Sequence, residues 1–442
     1  MPRLFGTDGV RGVANKELTP DLALALGRAA GAVLARGGEV IVGRDTRVSG
    51  SMLEGALVAG LCSAGAHVRL AGVLPTPAVA FLTLDEKASA GAVISASHNP
   101  VPDNGIKFFS NEGFKTSAEV EEQIERLMQA GESDLVTGVE VGSAEVIPDA
   151  VDRYVEHVIA SVDGSFSTSL KVVLDCAHGA AWAAGPAAFE RAGAEVIAIN
   201  AEADGTRINV GCGSTDLSAL AERVVAEGAQ LGLAFDGDAD RVLAVDERGE
   251  YVDGDRLMGL TAVHLHDLGE LDNGLLVATV MSNLGFKRAL EEKGIDVVFS
   301  PVGDKFVAEA MALHGAVLGG EQSGHVILGK HSTTGDGILT GMQIAAIVAG
   351  SGRPLSELAH FFEPFPQVLI NVVVAAKHKL DSHEPLWEEV RSAEAALGED
   401  GRVLLRASGT EPLVRVMVEA SDPAVAQTVA EDLAGSVRAY LN

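Results

Sequence analysis

The sequence predicts an α/β protein in which three related α/β domains with mixed sheets precede a smaller C-terminal β-α-β-β-α domain. Three observations argue for it. A short apolar run, a polar loop, a helix-like stretch, a Gly and a second apolar run recur three times as one unit. The tail departs from that unit. At roughly 150 residues per domain, 442 residues suit about three domains, with ample core and no need of a disulfide or metal staple.

The first unit runs from Glu39-Val-Ile-Val through Gly43-Arg-Asp-Thr-Arg and a helix-like segment to Gly65-Ala-His-Val-Arg-Leu. In the second, Lys171-Val-Val-Leu enters Asp175-Cys-Ala-His-Gly, and Gly193-Ala-Glu-Val-Ile-Ala closes it. The third takes Leu275-Leu-Val-Ala-Thr-Val and Met281-Ser-Asn-Leu-Gly to Gly294-Ile-Asp-Val-Val-Phe. Two buried runs around a crossover helix are the mark of parallel or mixed sheets. Gly before each second run suits a helix C-cap. In the tail, Gln367-Val-Leu-Ile-Asn-Val-Val-Val predicts a strand and Glu384 to Leu397 a helix. Arg402-Val-Leu-Leu-Arg and Leu413-Val-Arg-Val-Met-Val-Glu predict strands around a Ser408-Gly-Thr turn. Asp422-Pro423 then opens a helix to Tyr440, an N-cap followed by Pro at its first position. The expected domains are 1–157, 158–255, 256–364 and 365–442, with a hinge near Phe362-Glu-Pro-Phe-Pro.

Charge narrows the partners. The 33 Lys+Arg against 62 Asp+Glu give a net −29. Polyanions are repelled by such a chain, so neither nucleic acid nor an anionic membrane is the expected partner. A phosphorylated substrate needs a local pocket of the scarce cations. Cys62, Cys176 and Cys212 are odd in number and form no C-x-x-C pair, which fits a reducing compartment. No apolar stretch approaches the roughly 20 residues of a membrane span, and the first residues lack a signal-peptide pattern. The expected location is cytoplasmic.

Four stretches carry chemistry. Gly91 to Pro100 contains Ser97-His98-Asn99-Pro100 at the end of an apolar run, followed by Asp103-Asn-Gly-Ile-Lys107. Ser97 beside a proton carrier suits a nucleophile, although an isolated motif of this kind reads more readily as a turn satisfying its own backbone. No G-x-S-x-G elbow points to an α/β-hydrolase. Asp236, Asp238 and Asp240 alternate on a tight loop between apolar runs, a crowding of charge that a hard divalent cation would neutralise. The spacing mimics an EF-hand, but Arg241 stands where that loop needs Gly. Mg²⁺ assisting phosphoryl transfer suits it better, with a solvated acidic turn as the alternative. Gly319-Gly-Glu321-Gln-Ser323-Gly-His325 offers groups that hydrogen-bond sugar hydroxyls and one that moves a proton. Arg406-Ala-Ser408-Gly409-Thr410 with Arg415 forms a credible phosphate cradle. Arg11, Arg44 and Arg47 add cations on Gly-rich turns, where they favour anion binding.

In this order, S-A-S-H-N-P, D-G-D-A-D-R, G-E-Q-S-G-H and R-A-S-G-T-E-P resemble the α-D-phosphohexomutase superfamily essentially end to end. Phe5-Gly-Thr-Asp-Gly-Val-Arg-Gly, with the third motif, resembles its bacterial glucosamine-phosphate branch. Ordered motifs, one per inferred domain, are far more specific than any one alone. Val302-Gly-Asp304-Lys305 departs mildly, because Arg is expected at the last position; Lys keeps the charge but not a bidentate contact.

The resemblance implies interconversion of glucosamine 6-phosphate and glucosamine 1-phosphate, on the route to UDP-N-acetylglucosamine and peptidoglycan. It implies a phosphorylated Ser97 and one Mg²⁺ per subunit, held by Ser97, Asp236, Asp238 and Asp240. The intermediate would be glucosamine 1,6-bisphosphate, with that compound or glucose 1,6-bisphosphate as activator. Lys107, His325 and Arg11 would assist proton transfer, and His98 and Arg241 would support the phosphoserine loop. Lys305, Glu321 and Ser323 would meet the sugar, while Arg406, Ser408, Gly409, Thr410 and Arg415 would hold the phosphate that is not reacting. The expected partner is a phosphosugar, bound by a monomer or a homodimer. Two alternatives stay open: the same chemistry on glucose or mannose phosphates, and a non-catalytic metal-binding phosphosugar sensor.

Overall fold

Parallel strands give way to an antiparallel hairpin in each of the three repeated units. The computed structural model describes all residues except 1–3, 7, 132–134, 163–165, 167–169 and 409–411. The first sheet contains β1 (Val10–Val13), β2 (Glu39–Arg44), β3 (His67–Val73), β4 (Ala90–Ile94), β5 (Asp103–Ser110) and β6 (Ala144–Val146). Its order is β1-β5-β4-β2-β3-β6, with β2 parallel to β3 and β4, and β5 antiparallel to β4 and β1. The second has β7 (Lys171–Asp175), β8 (Glu195–Ile199), β9 (Leu231–Phe235), β10 (Val242–Asp246) and β11 (Tyr251–Val252), ordered β11-β10-β9-β7-β8. There β7 is parallel to β8 and β9, and β10 is antiparallel to β9. In the third, β12 (Leu275–Thr279), β13 (Asp296–Ser300), β14 (Leu318–Gly320) and β15 (Val326–Leu328) are ordered β13-β12-β14-β15. Here β12 is parallel to β14, and β15 turns back antiparallel.

The fourth sheet is antiparallel throughout, with β16 (Gln367–Val373), β18 (Leu413–Ala420) and β17 (Gly401–Ala407) side by side in that order. Helices Glu384–Leu397 and Pro423–Leu441 pack on it through Leu386, Val390, Leu433 and Val437. The expected β-α-β-β-α order is therefore present, as are mixed sheets in the three repeats.

Residues group into two compact units, Met1–Thr279 with Val298–His360, and Val280–Val297 with Phe361–Asn442. Residues 280–297 lie in the third repeat of the sequence but pack with the tail. The reason is a buried carboxylate. Glu419 on β18 accepts from Leu284 N (3.0 Å), Asn283 Nδ2 (3.3 Å) and Arg402 Nε (2.8 Å), so the start of helix Leu284–Glu291 is bonded to the fourth sheet.

In the first repeat, helices Pro20–Leu34 and Gly50–Ser63 approach backbone to backbone. A Cβ at Gly27 would lie 2.3 Å from Leu57 O, and one at Gly60 2.3 Å from Leu24 O. Only glycine permits that contact.

Candidate active site

The first three chemical motifs occupy equivalent positions. Each is the turn that leaves a strand with a parallel neighbour and enters its antiparallel partner: β4 to β5, β9 to β10, and β14 to β15. The carboxyl ends of parallel strands are where α/β sheets bind ligands. The fourth motif lies along and between β17 and β18, which pair antiparallel.

Ser97 is buried and has φ +51°, a left-handed conformation that costs an L-residue about 1–2 kcal/mol. Its neighbours hold it there. Ser97 N donates to Ser95 Oγ at 2.9 Å, and Ser97 O accepts from Arg47 Nη2 and Asn209 Nδ2, both at 2.9 Å. Ser97 Oγ then donates to Asp236 Oδ2 at 2.5 Å and lies 3.2 Å from His98 Nδ1. Arg241 Nη1 is 3.1 Å from the same imidazole nitrogen, and Arg241 N donates to Asp236 Oδ1 at 3.1 Å. A Cβ at Gly237 would stand 2.6 Å from Ser97 O, so the serine and aspartate loops touch only because that residue is Gly.

Asp236, Asp238 and Asp240 are buried, and one carboxylate oxygen from each lies within 4.8 Å of the others. Burial, then the Asp240 and Asp238 charges, raise the Asp236 carboxyl well above its ordinary range. Burial would raise Asp238 too, but Lys107 and the Thr76 hydroxyl hold it below that range, from 2.9 and 2.5 Å. Asp238 Oδ1 and Asp240 Oδ1 have no hydrogen-bond partner among the described residues. Buried carboxylate oxygens left in that state are costly unless a cation meets them. The donor set, all oxygen with a serine hydroxyl beside it, fits a hard divalent ion.

Cations line the same space. Lys107 Nζ lies 3.7 Å from Asp240 Oδ2 and 3.8 Å from Asp8 Oδ1. Arg11 pairs with Asp8 and donates to Asn99 Oδ1 at 3.1 Å. Lys115 bridges Asp8 to Asp304, whose Oδ2 is 3.6 Å from His325 Nε2.

On the third loop His325 is buried against Gly335, and neither ring nitrogen is hydrogen-bonded among the described residues. Glu321 Oε1 accepts from Gly303 N at 3.0 Å, which ties that loop to the Gly303-Asp304-Lys305 turn. Lys305 Nζ reaches Thr116 O at 3.4 Å, and Ser323 is exposed. Gln322 turns away: its Nε2 lies 3.4 Å from Asp253 Oδ2 and 3.5 Å from Asp255 Oδ2, at the start of helix Gly254–Asp267.

The fourth motif belongs to the second compact unit. Arg406 and Arg415 are exposed and face each other directly across β17 and β18. Like charges opposed in this way repel each other and concentrate positive charge at this end of the sheet. Lys377 Nζ donates to the buried Ser408 at its carbonyl, 2.7 Å away. Gly409 and Thr410 lie outside the described residues.

Four family models, for domains I to IV of phosphoglucomutase/phosphomannomutase, match residues 2–134, 152–249, 253–365 and 369–436. The chain belongs to the phosphoglucomutase/phosphomannomutase family. As a member of this phosphohexomutase family it is an intramolecular phosphotransferase. A phosphoglucosamine mutase of Moorella thermoacetica is 54% identical over 427 residues, 96% of each chain. One from Rhodococcus opacus is 53% identical over 443 residues, 99% of each chain. A phosphoglucomutase/phosphomannomutase family protein of Burkholderia thailandensis matches with a TM-score of 0.85 at 27% identity, over 100% of this chain and 98% of that one. The N-acetylphosphoglucosamine mutase of Aspergillus fumigatus, solved with GlcNAc-6P and magnesium, shares the fold: TM-score 0.69, 20% identity, 99% and 96% coverage.

One sequence expectation for this phosphohexomutase needs correction. Arg47 binds no anion. It is buried, paired with Asp45 at 2.9 Å, and its remaining donors go to backbone carbonyls. Arg44 is paired with Glu54 at 3.2 Å. Conversely, Thr76, Asn209 and Lys115 touch the site residues but carry no motif signal, because only the packing of separate loops brings them there, and Asp8, inside the Phe5-to-Gly12 motif, joins them as the partner of Arg11 and Lys115. No helix among the described residues is long and apolar enough to cross a membrane.

Proposed function

We propose that this phosphohexomutase interconverts glucosamine 6-phosphate and glucosamine 1-phosphate, through phospho-Ser97 and glucosamine 1,6-bisphosphate. The observation that carries the reading is Ser97 Oγ set 2.5 Å from Asp236 Oδ2, at the edge of three buried carboxylates. The glucosamine specificity is supported by the names of relatives 52–54% identical over nearly their full length. Ser97, Asp236, Asp238 and Asp240 would hold Mg²⁺, which when bound supplies charge neutralisation for phosphoryl transfer. Glucosamine 1,6-bisphosphate or glucose 1,6-bisphosphate would prime a dephosphorylated enzyme. A partner other than a nucleic acid is in keeping with the net −29, and a cytoplasmic setting with the odd, unpaired cysteines.

In the forward half-reaction the bond from Ser97 Oγ to phosphorus breaks as a sugar hydroxyl oxygen bonds to phosphorus. The hydroxyl proton leaves to a base, and the freed Ser97 Oγ takes up one proton to become the hydroxyl that donates to Asp236. His325 suits the role of that base because neither ring nitrogen is hydrogen-bonded among the described residues and Asp304 lies 3.6 Å from its Nε2, while Lys107 and Arg11 place positive charge beside the reacting oxygens. His98 and Arg241 brace the serine loop. Glu321, Ser323 and Lys305 contact the sugar. In domain terms, 1–157 carries phosphoserine, 158–255 the metal loop, 256–364 sugar recognition and 365–442 phosphate binding.

The test of the sugar is a coupled assay series on glucosamine 6-phosphate, glucose 6-phosphate and mannose 6-phosphate, each with a bisphosphate primer. Glucosamine 6-phosphate is expected to have the highest kcat/KM, since a site that pairs an amine is left with an unpaired polar group by the hydroxyl analogue. Equal values for the glucose and glucosamine phosphates would favour a phosphoglucomutase instead. Gln322 does not read the amine directly if its amide stays on Asp253 and Asp255, so Gln322→Ala should leave that ratio largely unchanged.

The Arg406 turn is assigned to the phosphate that is not reacting. Loss of one charged donor costs about 1.5–3 kcal/mol, or roughly one to two decades in kcat/KM. Arg406→Ala is therefore expected to raise KM and to release more glucosamine 1,6-bisphosphate, detected chromatographically, while Ser97 phosphorylation persists. Unchanged KM with no released intermediate would remove Arg406 from the phosphate site.

A further inference from the structure

Arg47 is fully buried, and all five of its guanidinium N–H donors have acceptors. Nε donates to Asp45 Oδ2 at 2.9 Å. Nη1 donates to Pro100 O at 2.6 Å and Asp103 O at 2.9 Å, and Nη2 to Ser97 O at 2.9 Å and Asn99 O at 2.7 Å. Asp45 closes a circuit. Its Oδ1 accepts from Arg47 N at 2.9 Å and its Oδ2 from Ser95 Oγ at 2.6 Å, and Ser95 Oγ in turn accepts from Ser97 N. Ser97 is thereby gripped at both its N–H and its C=O while its φ is held at +51°. From outside the loop, Asn209 Nδ2 adds bonds to Ser97 O at 2.9 Å and Asn99 O at 3.3 Å.

We infer that Arg47 is a positioning residue for the serine that carries the phosphoryl group: it holds the loop carbonyls so that Ser97 Oγ faces Asp236, and it governs the transfer step rather than sugar binding. This rests on the reading of Ser97 as phosphoryl carrier. Ser97 loses and regains the phosphoryl group in every cycle, so its oxygen must return to one place in both forms. A planar fork meets five acceptors in fixed directions, and the single ammonium of a lysine cannot. Displacing a reacting atom by about 1 Å costs on the order of 10²-fold in rate.

The experiment uses full-length protein phosphorylated at Ser97, verified by intact mass, in Arg47→Lys and Asn209→Ala forms. Each is mixed with glucosamine 6-phosphate in single turnover, and loss of phosphate from the protein is followed by rapid quench. The first-order rate constant does not depend on how much protein is folded, so reduced stability alone leaves it unchanged. Arg47→Lys is expected to lower this constant and kcat by about 10²-fold with KM nearly unchanged. Asn209→Ala, which removes the bonds to the Ser97 and Asn99 carbonyls at a backbone φ of +59°, is expected to lower it roughly threefold to tenfold. Wild-type rate constants in both variants, or a raised KM with unchanged kcat, overturn the inference; if Arg47→Lys does not fold, the Asn209→Ala constant decides. Wild-type phosphoprotein that transfers nothing to any hexose 6-phosphate would instead defeat the proposed function, and with it this role.

Discussion

Ser97→Ala is expected to lose turnover by roughly 10⁵-fold or more while remaining folded. The hydroxyl is the only atom of this residue that donates to Asp236. Its backbone N and O, which Ser95 and Arg47 hold, are the same in alanine. The left-handed backbone is thus retained, and the variant loses about one hydrogen bond of stability, roughly 1 kcal/mol. Wild-type protein should show a mass shift of one phosphate on phosphatase treatment, and Ser97→Ala should show none. Ser97→Gly, which relieves the φ +51° backbone, should be equally inactive, since strain at this position is not the chemistry. Turnover near the wild-type level in Ser97→Ala would sink the covalent mechanism.

Removal of the divalent ion is expected to have the next largest effect. With three buried carboxylates converging and Asp236 raised by burial and by its two neighbours, the cluster repels itself unless a cation is present. Chelation with EDTA should abolish turnover and added Mg²⁺ should restore it. Asp238→Asn removes a charge that also holds Lys107 at 2.9 Å, so both the ion and the ammonium lose a partner. Mg²⁺ dependence is expected to shift by about 10²-fold or more, with kcat/KM falling alongside. Isothermal titration with Mg²⁺ gives a readout apart from activity: binding weakened in Asp238→Asn is the expected outcome. Full activity in exhaustively chelated buffer would reduce the three aspartates to an acidic turn.

Much of this site is readable from short runs of residues because each run lies on one turn. Asp236, Asp238 and Asp240 alternate within a single hairpin, and Ser97 and His98 are adjacent, so local spacing already places them near one another. Arg406 and Arg415 are readable in the same way, since their strands pair in register across a short turn. The three β-α-β repeats follow from apolar runs and the glycines that end their helices, which are local signals too.

Three other features depend on segments far apart in the chain. Arg47 reads as a surface cation because its sequence neighbours are Gly, Asp and Thr, yet it is buried under carbonyls of residues 97–103. Thr76 and Asn209 come to the serine and aspartate loops across 162 and 112 positions of chain. Residues 280–297 look like the third repeat but group with the tail, where Asn283 and Leu284 bond to Glu419 of the fourth sheet. The physical reason is the same in each case. Propensity and hydrophobic period act over a few residues, so the sequence specified elements, turns and the chemistry carried on one turn. Which donor meets which buried carbonyl or carboxylate is set by satisfying polar groups after the sheets have packed, and that pairing exists only in the folded chain.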